Sequence, residues 1–252
     1  MSSRPSRPVL LAPGALSSSV GVYAPGRHDR RPELPAVDER LVAPEAHAEI
    51  VGGVVYQMMG ANPPHATQHL QIARIFGDCL APGYEAAVDM LTRATKKTDA
   101  APDVSVFPEG PDVVTGGRKL EEIAFEVLDT ETLDHVTRKT RRLARRGVRR
   151  IFALRVTDHA VFEWQHARRE WEELAAESEI RDRCFVVPIP VRAFVRRVLA
   201  HETVARALLA TGNHVIIAAV NAAREQGLRE GRTEGLRDGR TEGLRDGHAE
   251  GL

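Results

Sequence analysis

Two acidic residues stand where a metal-dependent hydrolytic site would need them. Asp103 follows a proline at the mouth of a short apolar segment, and Glu126 lies inside the apolar run 122–128. A carboxylate inside such a run is costly unless it is paired or bound to a metal. Carboxylate oxygens hold hard cations such as Mg²⁺, which activate water and neutralise charge during phosphodiester hydrolysis. The pair therefore predicts a site for Mg²⁺ or Mn²⁺.

A lysine near the attacking water would complete such a site. Alternation along a strand puts Leu128, rather than a lysine, on the same side as Glu126. Lys139 in the following helical segment is the predicted substitute, because it borders the core-facing positions of that helix and can reach inward. Lys96 and Lys97, shortly before Asp103, are weaker candidates.

Each of these residues also has an ordinary structural interpretation. Glu126 could pair with an arginine from the neighbouring basic helix, and Lys139 could be a surface lysine. Asp103 on its own could serve in a turn or as a helix cap. The sequence leaves these alternatives open.

A basic segment follows Glu126 along the chain. Residues 138–150 contain eight basic residues among thirteen and no acid. Such a segment could bind phosphates non-specifically, or it could be a solvated helix end whose charge suits the helix dipole. The candidate nucleic-acid-binding residues are Arg138, Arg141, Arg142, Arg145 and Arg146.

The elements that position these residues follow an α/β pattern. Residues 47–59 predict a hairpin that turns at Gly52-Gly53, and a helix is expected from His65 to Leu80 with Leu70 on its apolar side. Strands are predicted at 84–91, 104–107, 122–128, 151–154 and 160–164, with a helix ending at Gly147 after the third of them. Charged residues 166–183 predict a further helix, and residues 191–210 another.

The last segment is a repeat of eight residues. Residues 227–252 carry glycine at every fourth position and leucine at every eighth. Seven glycines at about 1 kcal/mol each disfavour an isolated helix, although a glycine stripe would let a partner helix approach closely. A flexible tail and a helix that drives homo-oligomer formation both remain open. The predicted divisions are an irregular leader (1–40), a nuclease-like α/β domain (41–165), a helical extension (166–226) and the repeat tail (227–252).

Composition excludes several other classes of protein. Thirty-five basic and thirty-five acidic residues cancel, so any attraction for nucleic acid must be local. Two distant cysteines favour buried thiols over a disulfide framework or a zinc site. No stretch approaches the roughly 18 apolar residues of a membrane span, so we expect no membrane partner and a cytoplasmic location.

The ordered set of motifs resembles the Uma-type restriction endonucleases, a branch of the PD-(D/E)XK nuclease superfamily. The resemblance covers roughly 120 residues, and its order and spacing are more specific than any single piece. The motifs are Glu49-Ile50-Val51-Gly52-Gly53, His65, Pro102-Asp103-Val104, Glu126-Val127-Leu128, Lys139 and Gly147-Val148.

The resemblance implies a restriction-endonuclease-like core with a central mixed sheet flanked by helices, followed here by a C-terminal helical extension. It also implies a Mg²⁺-dependent site that cleaves DNA. Asp103 and Glu126 would be metal ligands and Lys139 the charge stabiliser, with Glu49 and His65 as supporting residues near the site.

The sequence departs from the family pattern at three places. Asp129-Thr130 replaces a Ser-Pro pair, Leu143 replaces a tyrosine, and 155–158 replaces an Asp-Pro turn. None of these changes removes a proposed ligand. The leading hypothesis is therefore a metal-dependent DNA endonuclease, and the alternative is a catalytically inactive nucleic-acid-binding or assembly protein with the same fold.

Overall fold

A computed structural model describes residues 34–58, 60–129 and 133–249. Most of the predicted leader lies outside these ranges. The strands are β1 (Ala48–Val51), β2 (Val54–Gln57), β3 (Tyr84–Val88), β4 (Thr92–Thr95), β5 (Thr98–Ala100), β6 (Val104–Pro108), β7 (Ile123–Leu128), β8 (Arg150–Arg155), β9 (Ala160–Gln165), β10 (Glu170–Glu173), β11 (Glu179–Ile180) and β12 (Ile189–Pro190). The helices are α1 (Pro63–Asp78), α2 (Leu133–Arg146), α3 (Arg197–Ala210) and α4 (His214–Ala249), with 3-10 turns at Pro44–Ala46 and Val191–Phe194.

A six-stranded mixed sheet forms the centre of the fold. Its order is β10-β9-β8-β7-β6-β3, and only β7 and β8 run parallel. Every residue of β7 is buried, as expected of an apolar strand that is covered on both faces. Helices cover the two faces, with α1 and α3 on one and α2 on the other. The prediction of a central strand at 122–128 is confirmed.

Alternation along β7 separates two parts of the core. Phe125 belongs to an aromatic cluster with Phe76, Phe152 and Phe194 on the α1 side. Ala124 and its even-numbered neighbours face α2 instead, and Ala124 packs with the buried side chains of that face. Glu126 therefore lies on the α2 face of the sheet.

A second sheet carries the predicted hairpin. β1 and β2 pair around Gly52 and Gly53, whose φ angles of 68° and 87° suit a tight hairpin turn. The sheet has the order β2-β1-β5-β4, and its strands β4 and β5 were not predicted. Most of their residues are polar, so the sequence shows no apolar pattern typical of strands there. The buried Asp99 of β5 pairs with Arg93 of β4 at 3.3 Å and accepts the amide of Val42 at 3.1 Å.

Helix α1 begins two residues earlier than predicted, at Pro63. Two prolines fit its first turn because those amides have no partner within the helix, and Asn62 caps the end by accepting the amide of His65 at 3.2 Å. Leu70 is 71% exposed, so its assignment to the apolar side was wrong. Ile72, Ile75 and Phe76 are the fully buried residues of the helix.

The predicted helix at 166–183 is wrong. The chain instead turns at Arg169, with φ of 57°, and returns along β9 as the edge strand β10. Trp171 packs against Trp164 with ring centroids 5.3 Å apart and donates to Thr137 Oγ1 at 2.9 Å. Its charged neighbours resemble a solvated helix in composition, but charges also protect an exposed sheet edge.

The segment after residue 165 completes the same core rather than forming a separate helical extension. Ile180, Cys184, Ile189 and Phe194 are buried in the cluster that contains α1 and β7. Cys184 and Cys79 are buried free thiols, as predicted. Among the described residues after 165, α-helical structure is found in α3 and α4 and a 3-10 turn lies at Val191–Phe194.

The repeat tail is helical as far as Ala249, the last residue that the structure describes. Helix α4 has 36 residues and is about 54 Å long at 1.5 Å per residue. Its leucines at 228, 236 and 244 are about two-thirds exposed. No single helix among the described residues is long and apolar enough to cross a membrane, although α3 and α4, bent by 94°, together reach the required length and composition.

Candidate active site

The predicted catalytic residues line one cleft of about 490 Å³. Asp103 immediately precedes β6, and β6 pairs with β7 so that Val104 faces Phe125. Continuing this register by one residue puts Asp103 opposite Glu126. The two carboxylates therefore approach from adjacent strands, as expected. The other predicted residues of the cleft are Glu49 from β1, His65 from α1 and Lys139 from α2.

Lys139 is the centre of the charge cluster. Its Nζ lies 2.7 Å from Glu126 Oε2, 3.2 Å from Glu49 Oε1 and 3.1 Å from the carbonyl oxygen of Ala101. An ammonium group has three N–H donors, so these contacts use all of them. The side chain is 14% exposed, which excludes the alternative of a surface lysine. Lys96 and Lys97 are exposed in the turn between β4 and β5.

Glu126 is the most buried acid of the cleft, with 5% of its side chain exposed. Its partner on α2 is Lys139, not an arginine. Oε2 contacts Lys139, whereas Oε1 has no hydrogen-bond partner among the described residues. Buried polar atoms without a partner are uncommon in proteins. This free oxygen makes Glu126 suited to an additional ligand.

Burial and charge shift the pKa values of this pair. Burial raises the pKa of Glu126 well above its usual range, and the negative charges of Asp103 and Glu49 add to the rise against the opposing effect of Lys139. Burial alone would lower the pKa of Lys139, but the carboxylates of Glu126, Glu49 and Asp103 outweigh it and raise that pKa. Lys139 therefore keeps its charge, and Glu126 takes up a proton at higher pH than an ordinary glutamate does.

Hydrogen bonds fix the remaining acids. Glu49 Oε1 accepts the amide of Ala101 at 2.6 Å, which ties the hairpin to the segment before β6. Asp103 Oδ2 accepts the amide of Val127 at 2.5 Å, so Asp103 is bonded to β7 next to Glu126. His65 Nε2 lies 3.9 Å from Asp103 Oδ1.

The cleft also contains residues that were not predicted. His69 lies one helical turn after His65, and its Nε2 is 2.5 Å from the backbone oxygen of Asp103. The spacing of four residues was the signal that could have identified it. Asp89 lines the cleft with φ of 50°, and Tyr56 lines it from β2. No local pattern distinguishes those two residues in the sequence.

The basic helix borders this site. Arg138, Arg141 and Arg145 are exposed, and Arg142 and Arg146 are partly buried. Arg142 reaches Gly52 in the hairpin turn, and Arg146 donates to the carbonyl oxygen of Pro35 at 2.5 Å. The roles of these five residues in binding nucleic acid remain predictions, as do the catalytic roles of the cleft residues.

The donor set fits a divalent cation. Asp103 and Glu126 offer carboxylate oxygens, the ligands that hard cations prefer, and Glu126 Oε1 is without another partner among the described residues. When all three acids are ionised, Glu49, Asp103 and Glu126 carry three negative charges against the single positive charge of Lys139. A divalent ion would neutralise the remaining two.

Comparisons with known proteins give a family and a fold for this chain. A family model described as Uma2, putative restriction endonuclease, matches residues 16–186, and no curated protein matches the chain. Among solved structures, a putative nuclease of DUF820 from Anabaena variabilis matches with a TM-score of 0.51 at 14% identity, over 61% of this chain and 92% of that chain. At this identity the likeness concerns the fold alone, and it confirms the predicted restriction-endonuclease-like core. Because the family model spans more than half of the sequence, the chain belongs to the Uma2 family, whose description supports a nuclease function.

Proposed function

We propose that this protein is a metal-dependent endonuclease that hydrolyses DNA phosphodiester bonds. The observation that carries the proposal is the state of Glu126. Its carboxylate is buried in an apolar strand, one oxygen contacts Lys139, and the other has no partner among the described residues. A structural ion pair would normally use both oxygens, because a buried polar atom without a partner costs about 1–3 kcal/mol.

Asp103 and Glu126 are the residues that would hold the ion, and Mg²⁺ or Mn²⁺ suits their oxygen donors. When bound, such an ion supplies an activated water and neutralises the charge that develops on the phosphate. The chain's own contribution is to fix the two carboxylates. Asp103 is bonded to the amide of Val127, and Glu126 belongs to a strand that is buried on both faces.

Lys139 holds a positive charge next to the place where a phosphate would lie. Two of its three contacts are carboxylates, and the third is the neutral carbonyl oxygen of Ala101. Because the carbonyl oxygen of Ala101 is neutral, it is the contact that a phosphate oxygen would replace at the lowest cost. Glu49 keeps Lys139 in place, because its Oε1 binds both the ammonium group and the amide of Ala101.

DNA is proposed as the substrate on two grounds. The matched family is described as putative restriction endonuclease. Helix α2 also presents exposed arginines at 138, 141 and 145 on the same element as Lys139. Phosphate contacts of this kind would give sequence-independent affinity that weakens with salt.

Cleavage of supercoiled plasmid and of single-stranded DNA tests the proposal. Wild type is incubated with Mg²⁺, Mn²⁺ or EDTA beside Glu126→Gln, which keeps the shape of the side chain but removes its charge. We expect cleavage that requires the metal and falls at least 100-fold in the variant. Absence of cleavage in every condition would favour a binding protein with a nuclease fold. Cleavage unaffected by Glu126→Gln would contradict the assigned site.

A further inference from the structure

Two histidines on α1 face the same acid that the proposed metal site uses. His65 and His69 are four residues apart, so they lie on one side of the helix. Their rings meet edge to face with centroids 6.1 Å apart. His65 Nε2 lies 3.9 Å from Asp103 Oδ1, and His69 Nε2 lies 2.5 Å from the backbone oxygen of Asp103.

The donor atoms converge closely enough to share an ion. One ligand atom from each of His65, His69 and Asp103 lies within 4.8 Å of the others. Metal–nitrogen bonds of about 2.1 Å put neighbouring ligands of a tetrahedral ion about 3.4 Å apart. Small side-chain rotations would therefore close the set, and all three residues line the open cleft.

The chemistry of this set differs from that of the acid pair. Imidazole nitrogens bind first-row transition metals, Zn²⁺ and Co²⁺ more tightly than Mn²⁺, whereas Mg²⁺ prefers oxygen ligands. His65 and His69 contribute two nitrogens and Asp103 one oxygen. The acid pair Asp103 and Glu126 contributes only oxygen.

We propose that His65, His69 and Asp103 form a second divalent-cation position that selects a transition metal, with Asp103 as the ligand shared by both positions. The position formed by Asp103 and Glu126 rests on the proposed function, whereas the position formed by the two histidines and Asp103 does not. Asp103 can serve both ions because a carboxylate has about four lone-pair sites and Val127 uses one of them. Ions bridged in this way lie about 3.5–4 Å apart in enzymes that use two metals.

A purely structural role for the histidines makes a different prediction. The contact between His69 Nε2 and the backbone oxygen of Asp103 could simply hold Asp103 in place. In that case the histidines would never coordinate a metal, and replacing either of them would leave the number of bound ions unchanged. Metal binding therefore separates the two roles without reference to cleavage.

Mn²⁺ alone is the probe for the experiment. Equilibrium dialysis counts bound ions on the full chain, and pulsed electron paramagnetic resonance detects coupling of Mn²⁺ to imidazole nitrogen. Excess Mg²⁺ is then added as a competitor. The variants are His69→Gln, His65→Gln, Glu126→Gln and Asp103→Asn, with the exposed His166→Gln as matched control. Thermal unfolding verifies that each variant is folded.

We expect two Mn²⁺ ions per wild-type chain, one of them coupled to nitrogen and resistant to Mg²⁺. His69→Gln and His65→Gln should each lose the nitrogen-coupled ion, and Glu126→Gln should keep it. Asp103→Asn should weaken both ions, and His166→Gln neither.

Absence of nitrogen coupling in wild type, or coupling that survives both histidine variants, would overturn the second position. A wild type that binds the nitrogen-coupled ion but never cleaves DNA would instead contradict the proposed function alone.

Discussion

At the scale of single residues, Glu126 decides how the cleft responds to protons and metals. The carboxylates of Glu49, Asp103 and Glu126 surround the single ammonium of Lys139, so two negative charges are left without a cation when all three acids are ionised. A proton or a divalent ion can relieve this excess, which is why the pKa of Glu126 is raised by burial and by Asp103 and Glu49. A metal ion at the proposed site would therefore compete with the proton for this carboxylate.

The raised pKa predicts how stability changes with pH in the absence of metal. The folded protein holds the Glu126 proton at pH values where the unfolded chain has already lost it. The free energy of unfolding therefore falls as pH rises from the ordinary glutamate range through the raised pKa. Urea unfolding in EDTA over a pH series should show this loss in wild type and a smaller one in Glu126→Gln. Equal slopes for the two proteins would refute the assignment.

Replacing Lys139 should lower the free energy of unfolding, because the buried carboxylates lose their cation. Lys139→Met leaves Glu126 and Glu49 without their cation, and breaking a buried ion pair costs about 3–5 kcal/mol. We expect that loss in EDTA by urea unfolding, and partial recovery with Mg²⁺ because the ion replaces the missing charge. Lys96→Met, at an exposed lysine, is the control and should change little. A Lys139→Met protein as stable as wild type would show that the contacts are weaker than their distances imply.

Glu126 could be identified from the sequence because an acid buried in an apolar strand is costly unless it is paired or bound to a metal. Lys139 was found from its position beside the core-facing stripe of α2. Asp89 was not found, because its place in the cleft depends on the turn between β3 and β4. Such long-range placement leaves no local pattern in the sequence.

At the scale of elements, an ion-pair network at the other end of β7 holds the sheet together. Arg149 lies 2.6 Å from Asp182 and 2.9 Å from Glu122, and Arg150 lies 3.1 Å from Asp182 and 2.6 Å from Glu163. The network joins the start of β8 to the segment before β12. These arginines belong to the basic run in sequence, but their charges are neutralised within the fold.

Asp182→Asn should weaken the fold without impairing the cleft. Burial alone would raise the pKa of Asp182, but hydrogen bonds from Arg149, the amide of Cys184 and Arg150 hold it well below the usual range. Its contribution is present above the unfolded aspartate pKa and is lost as pH falls through the folded value. We expect a loss on the order of 2 kcal/mol at neutral pH by urea unfolding, because Arg149 is partly exposed.

The control for that variant is Asp158→Asn, which removes an exposed ion pair with Arg155 and should cost well under 1 kcal/mol. Cleavage per folded molecule should be unchanged in Asp182→Asn, since four residues of strand, about 13 Å, separate Glu122 from Glu126. A stability loss confined to low pH would contradict the lowered pKa of Asp182, because the arginines stabilise its ionised form.

Elements with clear hydrophobic periods were predicted well, and those with mixed patterns were not. The hairpin, α1, β7 and α2 all show turn glycines, apolar runs or spacings of three and four. Strands β4 and β5 are polar because their side chains form buried ion pairs and hydrogen bonds. Strand β10 carries the charges of an exposed edge, so its composition resembles that of a solvated helix.

At the scale of the whole molecule, α4 stands out because its repeat has no packing partner among the described residues. A Cβ atom added at any of its glycines from Gly227 to Gly243 would meet nothing within 4 Å, and the leucines between them are exposed. Glycines in a solvated helix cost about 1 kcal/mol each. Arginines and acids alternate along the repeat, an arrangement that would allow ion pairs with a second copy of it.

Removal of residues 227–252 should therefore lower the number of chains per particle, measured by light scattering at several concentrations. We expect the truncated chain to keep its thermal stability, because the repeat contributes nothing to the described core. Cleavage per chain should persist for the same reason. An unchanged mass would exclude assembly through the tail. The sequence revealed this repeat at once, but its helical state depends on energies that glycine content alone does not determine.

The most direct test of the proposed site is the anomalous scattering of Mn²⁺ in crystals of the full chain. We expect a peak at coordination distance from both Glu126 Oε1 and the carboxylate of Asp103, and no such peak in crystals of Glu126→Gln. A map without density beside Glu126, with Lys139 still its sole charged partner, would contradict the claim that this buried acid is a metal ligand.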